Sequence, residues 1–123
     1  MLTQEQLSLI GTYRLSIIDV KTLKIFEEAP ILGYQQRMNL SFNQDLTGYK
    51  VRFSGAQDAT VIRKYGCAKW VDNKLVFYFP EEKNCQYSIK TLVCTITQAQ
   101  ESFRGFLMTF ELEKVMYCIR CER

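Results

Sequence analysis

The chain has 123 residues, and its 16 Lys and Arg against 13 Asp and Glu give a net charge of +3. This length can bury one core without metal or disulfide support, so we expect a single domain over residues 1–123. The apolar content of 47% excludes a disordered chain, and no apolar run is long enough to cross a membrane as a helix. The weak, interspersed basic excess argues against nucleic acid as a partner.

A short helix and two strands are predicted at the start of the chain. Thr3 and Gln6 have the spacing of a capping box, in which each side chain binds the backbone of the other residue. After Gly11, apolar and polar residues alternate over residues 13–17, which indicates a strand. A second strand is predicted at residues 22–26.

The clearest pattern is a hairpin at residues 38–54. Apolar and polar residues alternate on both sides of a polar break at residues 43–48, as expected for two half-buried antiparallel strands. One face of the hairpin carries Met38, Leu40, Phe42, Tyr49, Val51 and Phe53. The other face carries Lys50 and Arg52.

Five further strands are predicted at residues 59–65, 74–79, 87–97, 103–112 and 114–120, with a break at Gly66 and a short turn at Asp72-Asn73. This regular spacing is typical of an antiparallel meander. Closing such a sheet removes its exposed edges. We therefore predict an all-β fold, a small antiparallel meander closed into a barrel of about eight strands with a short N-terminal helix. A two-sheet β-sandwich is the alternative.

Large apolar side chains at alternating strand positions can converge on one interior. In a barrel this interior can hold one apolar ligand, whereas in a sandwich it is simply core. The candidate ligand-binding residues are Met38, Leu40, Phe42, Tyr49, Val51, Phe53, Phe77, Phe79, Phe106 and Phe110. Arg37 or Arg104 could bind a ligand carboxylate if either points inward.

A second candidate surface lies on the outside of the sheet. Lys50, Arg52 and Lys64 fall on consecutive predicted strands, with Tyr65 and Trp70 nearby. We assign the three cations as candidate partner-binding residues on this outer face. Cations with aromatic neighbours suit an acidic protein or single-stranded nucleic acid, and they equally suit an ordinary solvent-exposed face.

The chain contains no histidine, so Ser-His-Asp catalysis, Cys-His catalysis and His-based catalytic zinc sites lose their usual base or ligand. The adjacent acid pairs, Glu27-Glu28 and Glu81-Glu82, diverge on an extended chain and do not form an acid and base couple. We therefore expect a protein that is not an enzyme and has no cofactor and no metal site.

Five cysteines leave the disulfide state and the compartment open. They are Cys67, Cys85, Cys94, Cys118 and Cys121. In an oxidising compartment a Cys67–Cys85 disulfide could cross-link the hairpin between these two residues. In a reducing compartment the thiols would be core residues. The Cys118-x-x-Cys121 motif ends a strand, where positions three apart face opposite ways, so redox and zinc roles are disfavoured. No signal peptide is visible, which leaves a cytosolic protein or an exported one without its leader, with the exported location preferred.

The segment Leu9-Ile10-Gly11-Thr12-Tyr13-Arg14-Leu15, a helix turning through Gly into a strand, resembles the start of lipocalin-like (calycin) barrels. Members of that superfamily have Gly-x-Trp at this place, packed against an Arg from the last strand. Here Tyr13 stands in place of the Trp, and Arg120 is the candidate for the Arg. The resemblance implies an antiparallel barrel that carries a small hydrophobic ligand, or a descendant that uses its outer surface for protein contacts.

The pattern and the resemblance together favour one function over two alternatives. We expect a non-catalytic protein that binds a small apolar or amphipathic, lipid-like ligand in the aromatic-lined interior. The first alternative is a protein–protein interaction module with a filled core, such as an accessory protein or secreted effector. The second is a nucleic-acid-binding barrel. The identity of the ligand and the oligomeric state are left open.

Overall fold

A computed structural model of the protein describes residues 2–25, 38–57, 60–80, 90–98 and 104–123. These ranges contain one short helix, α1 (Gln4–Leu7), and eight strands. The strands are β1 (Gly11–Asp19), β2 (Asn39–Gln44), β3 (Tyr49–Gln57), β4 (Thr60–Val71), β5 (Lys74–Tyr78), β6 (Thr91–Gln98), β7 (Gly105–Leu112) and β8 (Val115–Glu122). No helix in the described ranges is both long enough and apolar enough to span a bilayer.

Each strand pairs antiparallel with the next one in the chain, and β8 pairs antiparallel with β1. The closing pair runs in register from Arg14 opposite Glu122 to Asp19 opposite Tyr117. The sheet is therefore a closed eight-stranded barrel, which confirms the predicted all-β class and excludes the sandwich alternative. This architecture is compatible with a lipocalin-like fold.

The hairpin of β2 and β3 has the predicted faces. Leu40 lies opposite Phe53 and Phe42 lies opposite Val51, so the four side chains point to the same side of the sheet. That side is the barrel interior, where all four are buried. The alternation of apolar and polar residues thus decides which face of this hairpin leaves water.

Two predicted features of the strands are wrong. Residues 22–25 form no strand, and only an isolated bridge joins Ile25 to Ile18. Gly66, expected as a break, lies inside β4 opposite Val51. A Cβ atom at Gly66 would collide with the carbonyl oxygen of Tyr78 and with the ring of Phe79. This glycine therefore permits a close approach between strands and does not end one.

Other predicted boundaries fall partly outside the described residues. The residues concerned are 26, 59, 87–89 and 103. The candidate carboxylate-binding residue Arg37 also lies outside the described residues. Within the described ranges, β6 and β7 agree with the predicted strands at 87–97 and 103–112 to within a few residues.

Two hairpins have two-residue turns with positive φ at both central positions. In the β4–β5 turn, Asp72 and Asn73 have φ of 48° and 67°, and this turn is confirmed. In the β7–β8 turn, Glu113 and Lys114 have φ of 50° and 66°. Such type I′ geometry matches the twist of the strands, but it is strained for side chains other than Gly, Asn and Asp.

The β7–β8 turn provides a test of backbone strain. We expect Lys114→Gly to raise the free energy of unfolding by roughly 0.5–1 kcal/mol, because glycine adopts positive φ without steric cost. The matched variant Lys69→Gly, in the interior of β4, should lower it by a similar amount. Urea unfolding of both variants checks this, and a Lys114→Gly protein no more stable than the wild type would contradict it.

Candidate functional site

The ten predicted ligand-binding residues come together as the packed centre of the barrel. All ten are buried and belong to one hydrophobic cluster. Ring contacts run along the barrel from Phe106 to Phe42 at 6.2 Å, from Phe42 to Phe77 at 6.0 Å and from Phe77 to Phe79 at 6.2 Å between centroids. These side chains therefore fill the centre by packing against one another.

A pocket of about 700 Å³ lies at one end of the barrel, between α1 and the strand ends. This volume is within the range of small-molecule sites. Its lining is apolar at Leu9, Tyr13, Trp70, Ile96 and Phe106, and more polar at Thr3, Glu5, Gln6, Ser8, Gly105 and Arg123. Of the ten predicted residues only Phe106 lines this pocket, so sequence patterning missed most of its wall.

The N-terminal segment forms one wall because two buried tyrosines hold it. The hydroxyl of Tyr49 donates a hydrogen bond to the carbonyl oxygen of Gln6 at 2.6 Å, and that of Tyr13 donates to the carbonyl of Leu9 at 2.8 Å. The indole Nε1 of Trp70 donates to the Tyr49 hydroxyl at 2.9 Å. These bonds satisfy carbonyls at the end of the helical segment. The capping box at the other end is formed as predicted.

Among the described residues that line the pocket, the one cation is Arg123, and several contacts hold it in place. Its Nη2 and Nε donate to the Tyr13 hydroxyl at 2.8 and 3.2 Å, and its guanidinium carbon lies 5.1 Å from the centre of the Tyr13 ring. Nη2 also donates to the carbonyl oxygens of Ser8 and Ile10. Among the hydrogen bonds between described residues, none uses Nη1. The guanidinium is held in place and keeps one nitrogen for a further acceptor.

The arginine that packs against Tyr13 is Arg123, and the expectation of Arg120 is wrong. Arg120 alternates with the buried Ile119 and Cys121, so it points to the outer face, where its Nη2 lies 3.8 Å from a carboxylate oxygen of Glu122. Strand alternation beyond Cys121 brings Arg123 to the same side of the sheet as Ile119 and Cys121, where it lines the end pocket and stays exposed. Every second residue after Ile119 is Cys121 and then Arg123, and this alternation is the sequence signal that identifies Arg123.

Burial keeps both tyrosine hydroxyls protonated. Loss of solvent raises the pKa of Tyr13, and the hydrogen bond from Arg123 offsets part of the rise. Loss of solvent also raises the pKa of Tyr49, with the hydrogen bond from Trp70 as the opposing effect. Both hydroxyls therefore remain donors to the N-terminal segment at neutral pH.

Of the three predicted outer cations, two lie where expected. Lys50 and Arg52 are exposed on β3. Lys64 points inward and is 2% exposed, because it lies opposite the buried Phe53 and paired residues share a face. Its Nζ lies 4.9 Å from the centre of the Phe79 ring. The expected outer placement of Lys64 is therefore wrong.

Of the two arginines proposed to bind a ligand carboxylate, Arg104 does not line this pocket. Arg104 is exposed, although its carbonyl oxygen accepts a hydrogen bond from the Arg123 backbone at 2.8 Å. Arg37 lies outside the described residues.

Four cysteines lie in the described ranges as free thiols, and Cys85 lies outside them, so the Cys67–Cys85 disulfide stays a prediction. Cys94 and Cys121 are fully buried, whereas Cys67 and Cys118 are half-buried. Burial raises the pKa of Cys94 to about 12 and that of Cys121 well above its usual value. Within the same ranges no three His, Cys, Asp or Glu side chains are grouped to hold a metal ion.

Comparison with protein families, with curated proteins and with solved structures finds no match to this chain.

The buried Cys94 thiol predicts a loss of stability in alkali. Its folded pKa is raised, so its contribution is complete below about pH 9 and is lost as the pH rises toward about 12. Over that window one such thiol lowers the free energy of unfolding by about 1.4 kcal/mol per pH unit. Urea unfolding between about pH 9 and 12 should show a shallower alkaline slope for Cys94→Val than for the wild type. Equal slopes in the two proteins would contradict the prediction.

Proposed function

We propose that this protein is a non-catalytic carrier that binds one amphipathic, lipid-like ligand with an anionic head group in the end pocket. The observation that carries the proposal is the pocket of about 700 Å³, whose apolar wall lies beside a fixed guanidinium. An apolar cleft with a few well-placed polar groups is typical of small-molecule sites.

The lining matches the two parts of such a ligand. Leu9, Ile96 and Phe106 provide apolar contact for an acyl chain, and burial of that chain supplies most of the favourable free energy. The Nη1 of Arg123 would donate to the carboxylate or phosphate of the head group. Glu5 is exposed on α1, so its carboxylate can stay in water beside the bound head group.

The ligand is placed at the barrel end and not between the central rings. The aromatic contacts from Phe106 to Phe79 leave the rings touching one another, and a ligand there would have to displace them. In this proposal the ten predicted residues form the packed floor of the site, and Phe106 is the member that contacts the ligand.

We also propose that the barrel is lipocalin-like. Support comes from the closed eight-stranded meander and from the packing of Arg123 on Tyr13 just after Gly11, which corresponds to the Gly-x-Trp and Arg arrangement of that superfamily. A binding role without catalysis agrees with the pocket lining, where the hydroxyl of Tyr13 is already engaged by Leu9 and Arg123.

Trp70 is the only tryptophan and lines the pocket, so its fluorescence reports directly on occupancy. Titration with decanoate should change its emission saturably, and decanol should bind more weakly because it lacks the charge. We expect Arg123→Gln to weaken decanoate by about tenfold or more while leaving decanol nearly unchanged.

A negative charge introduced inside the pocket, with one outside it as the matched control, tests the position of the site. Ile96→Glu places a carboxylate in the lining and should abolish decanoate binding, whereas Thr97→Glu, on the exposed side of the same strand, should retain it. Urea unfolding of each variant shows that the barrel is folded. No saturable response in the wild type, or equal binding by both variants, would refute the proposal.

A further inference from the structure

Cations are concentrated on the outside of β3, β4 and β5. The five exposed bases of these strands are Lys50, Arg52, Arg63, Lys69 and Lys74, and we call their shared surface the basic face. The sequences of the three strands contain no Asp or Glu, and the nearest described carboxylate along the chain is that of Asp72 in the β4–β5 turn. Repulsion between these cations is therefore not relieved by carboxylates within the strands.

This distribution is uneven for a chain of low net charge. The chain has 16 bases against 13 acids, and five of these bases lie exposed in three strands whose sequences contain no acid. A solvent-exposed sheet face usually mixes the two signs, because opposite charges across strands stabilise the sheet. Segregated charge of one sign is typical of a surface that meets the opposite sign on a partner.

Apolar groups lie among the cations. Tyr65, opposite Arg52, is 57% exposed, and Tyr78, opposite Cys67, is 40% exposed. Exposed Val71 and Val93 extend the apolar part of this surface. Tyrosine and arginine are enriched where proteins bind proteins.

The valines favour a protein partner over nucleic acid. Binding of single strands depends on stacking of bases on aromatic rings, to which branched aliphatic side chains add nothing. They can instead bury apolar side chains of a polypeptide while Lys and Arg pair with its carboxylates.

We propose that the basic face docks an acidic segment of a partner protein, with Arg52 and Lys69 pairing its carboxylates and Tyr65 packing against an apolar residue of that segment. This interaction is independent of the end pocket, because the basic face points outward whereas the pocket lies inside the barrel end.

The test uses a fluorescent synthetic peptide rich in Asp and Glu with a central Phe, and it measures anisotropy at low and moderate salt. We expect saturable binding that weakens about tenfold or more in the double variant Arg52→Glu, Lys69→Glu. The matched variant Arg14→Glu, Lys21→Glu makes the same charge change at exposed bases elsewhere and should bind nearly as the wild type does. Tyr65→Ser, which changes no charge, should also weaken binding.

Several outcomes would overturn this proposal. No binding at low salt would do so, as would equal losses in the two charge-reversed variants, which would indicate attraction by net charge alone. An unchanged affinity in Tyr65→Ser would exclude the packed aromatic contact. Tighter binding of oligothymidylate than of the peptide would assign the basic face to nucleic acid.

Discussion

The pairing of β1 with β8 is the constraint on which the rest of the structure depends. It closes the sheet, so no strand of the barrel keeps an unpaired edge. Closure also determines which residues face inward, because paired residues share a side of the sheet. It therefore brings Tyr13, near the start of the barrel, against Arg123, just after its last strand. The polar group proposed for a ligand head thus exists only in the closed barrel.

Closure gives the two surfaces of the sheet different roles. Inside, aromatic rings pack along the barrel, and space remains at the end where the N-terminal segment rests on Tyr13 and Tyr49. Outside, β3 to β5 present cations with aromatic and aliphatic neighbours. A small amphipathic ligand and an acidic protein could therefore be bound independently by one small barrel. The buried Lys64 belongs to neither proposed site and is compensated in part by its position over the Phe79 ring.

Period-two patterning was sufficient to predict both strands of the central hairpin and which of their residues face the interior. Each of these two strands has one buried face. It failed in β4, where no clean alternation exists and where a lysine is buried over an aromatic ring. From the sequence, Gly66 is expected to interrupt a strand. In the structure it instead allows β4 to approach the backbone of Tyr78 closely, and no local sequence pattern reveals this contact. The end pocket could not be predicted, since it depends on how a four-residue helix is seated across strands distant in sequence.

The most direct measurement is an isotope-filtered nuclear Overhauser experiment on the labelled protein saturated with decanoate. Binding in the end pocket predicts contacts from the acyl protons to the methyl groups of Leu9 and Ile96 and to the indole of Trp70. Contacts confined to the opposite end of the barrel, near Lys64 and Phe79, or no contacts at saturating ligand, would contradict the assignment of the site.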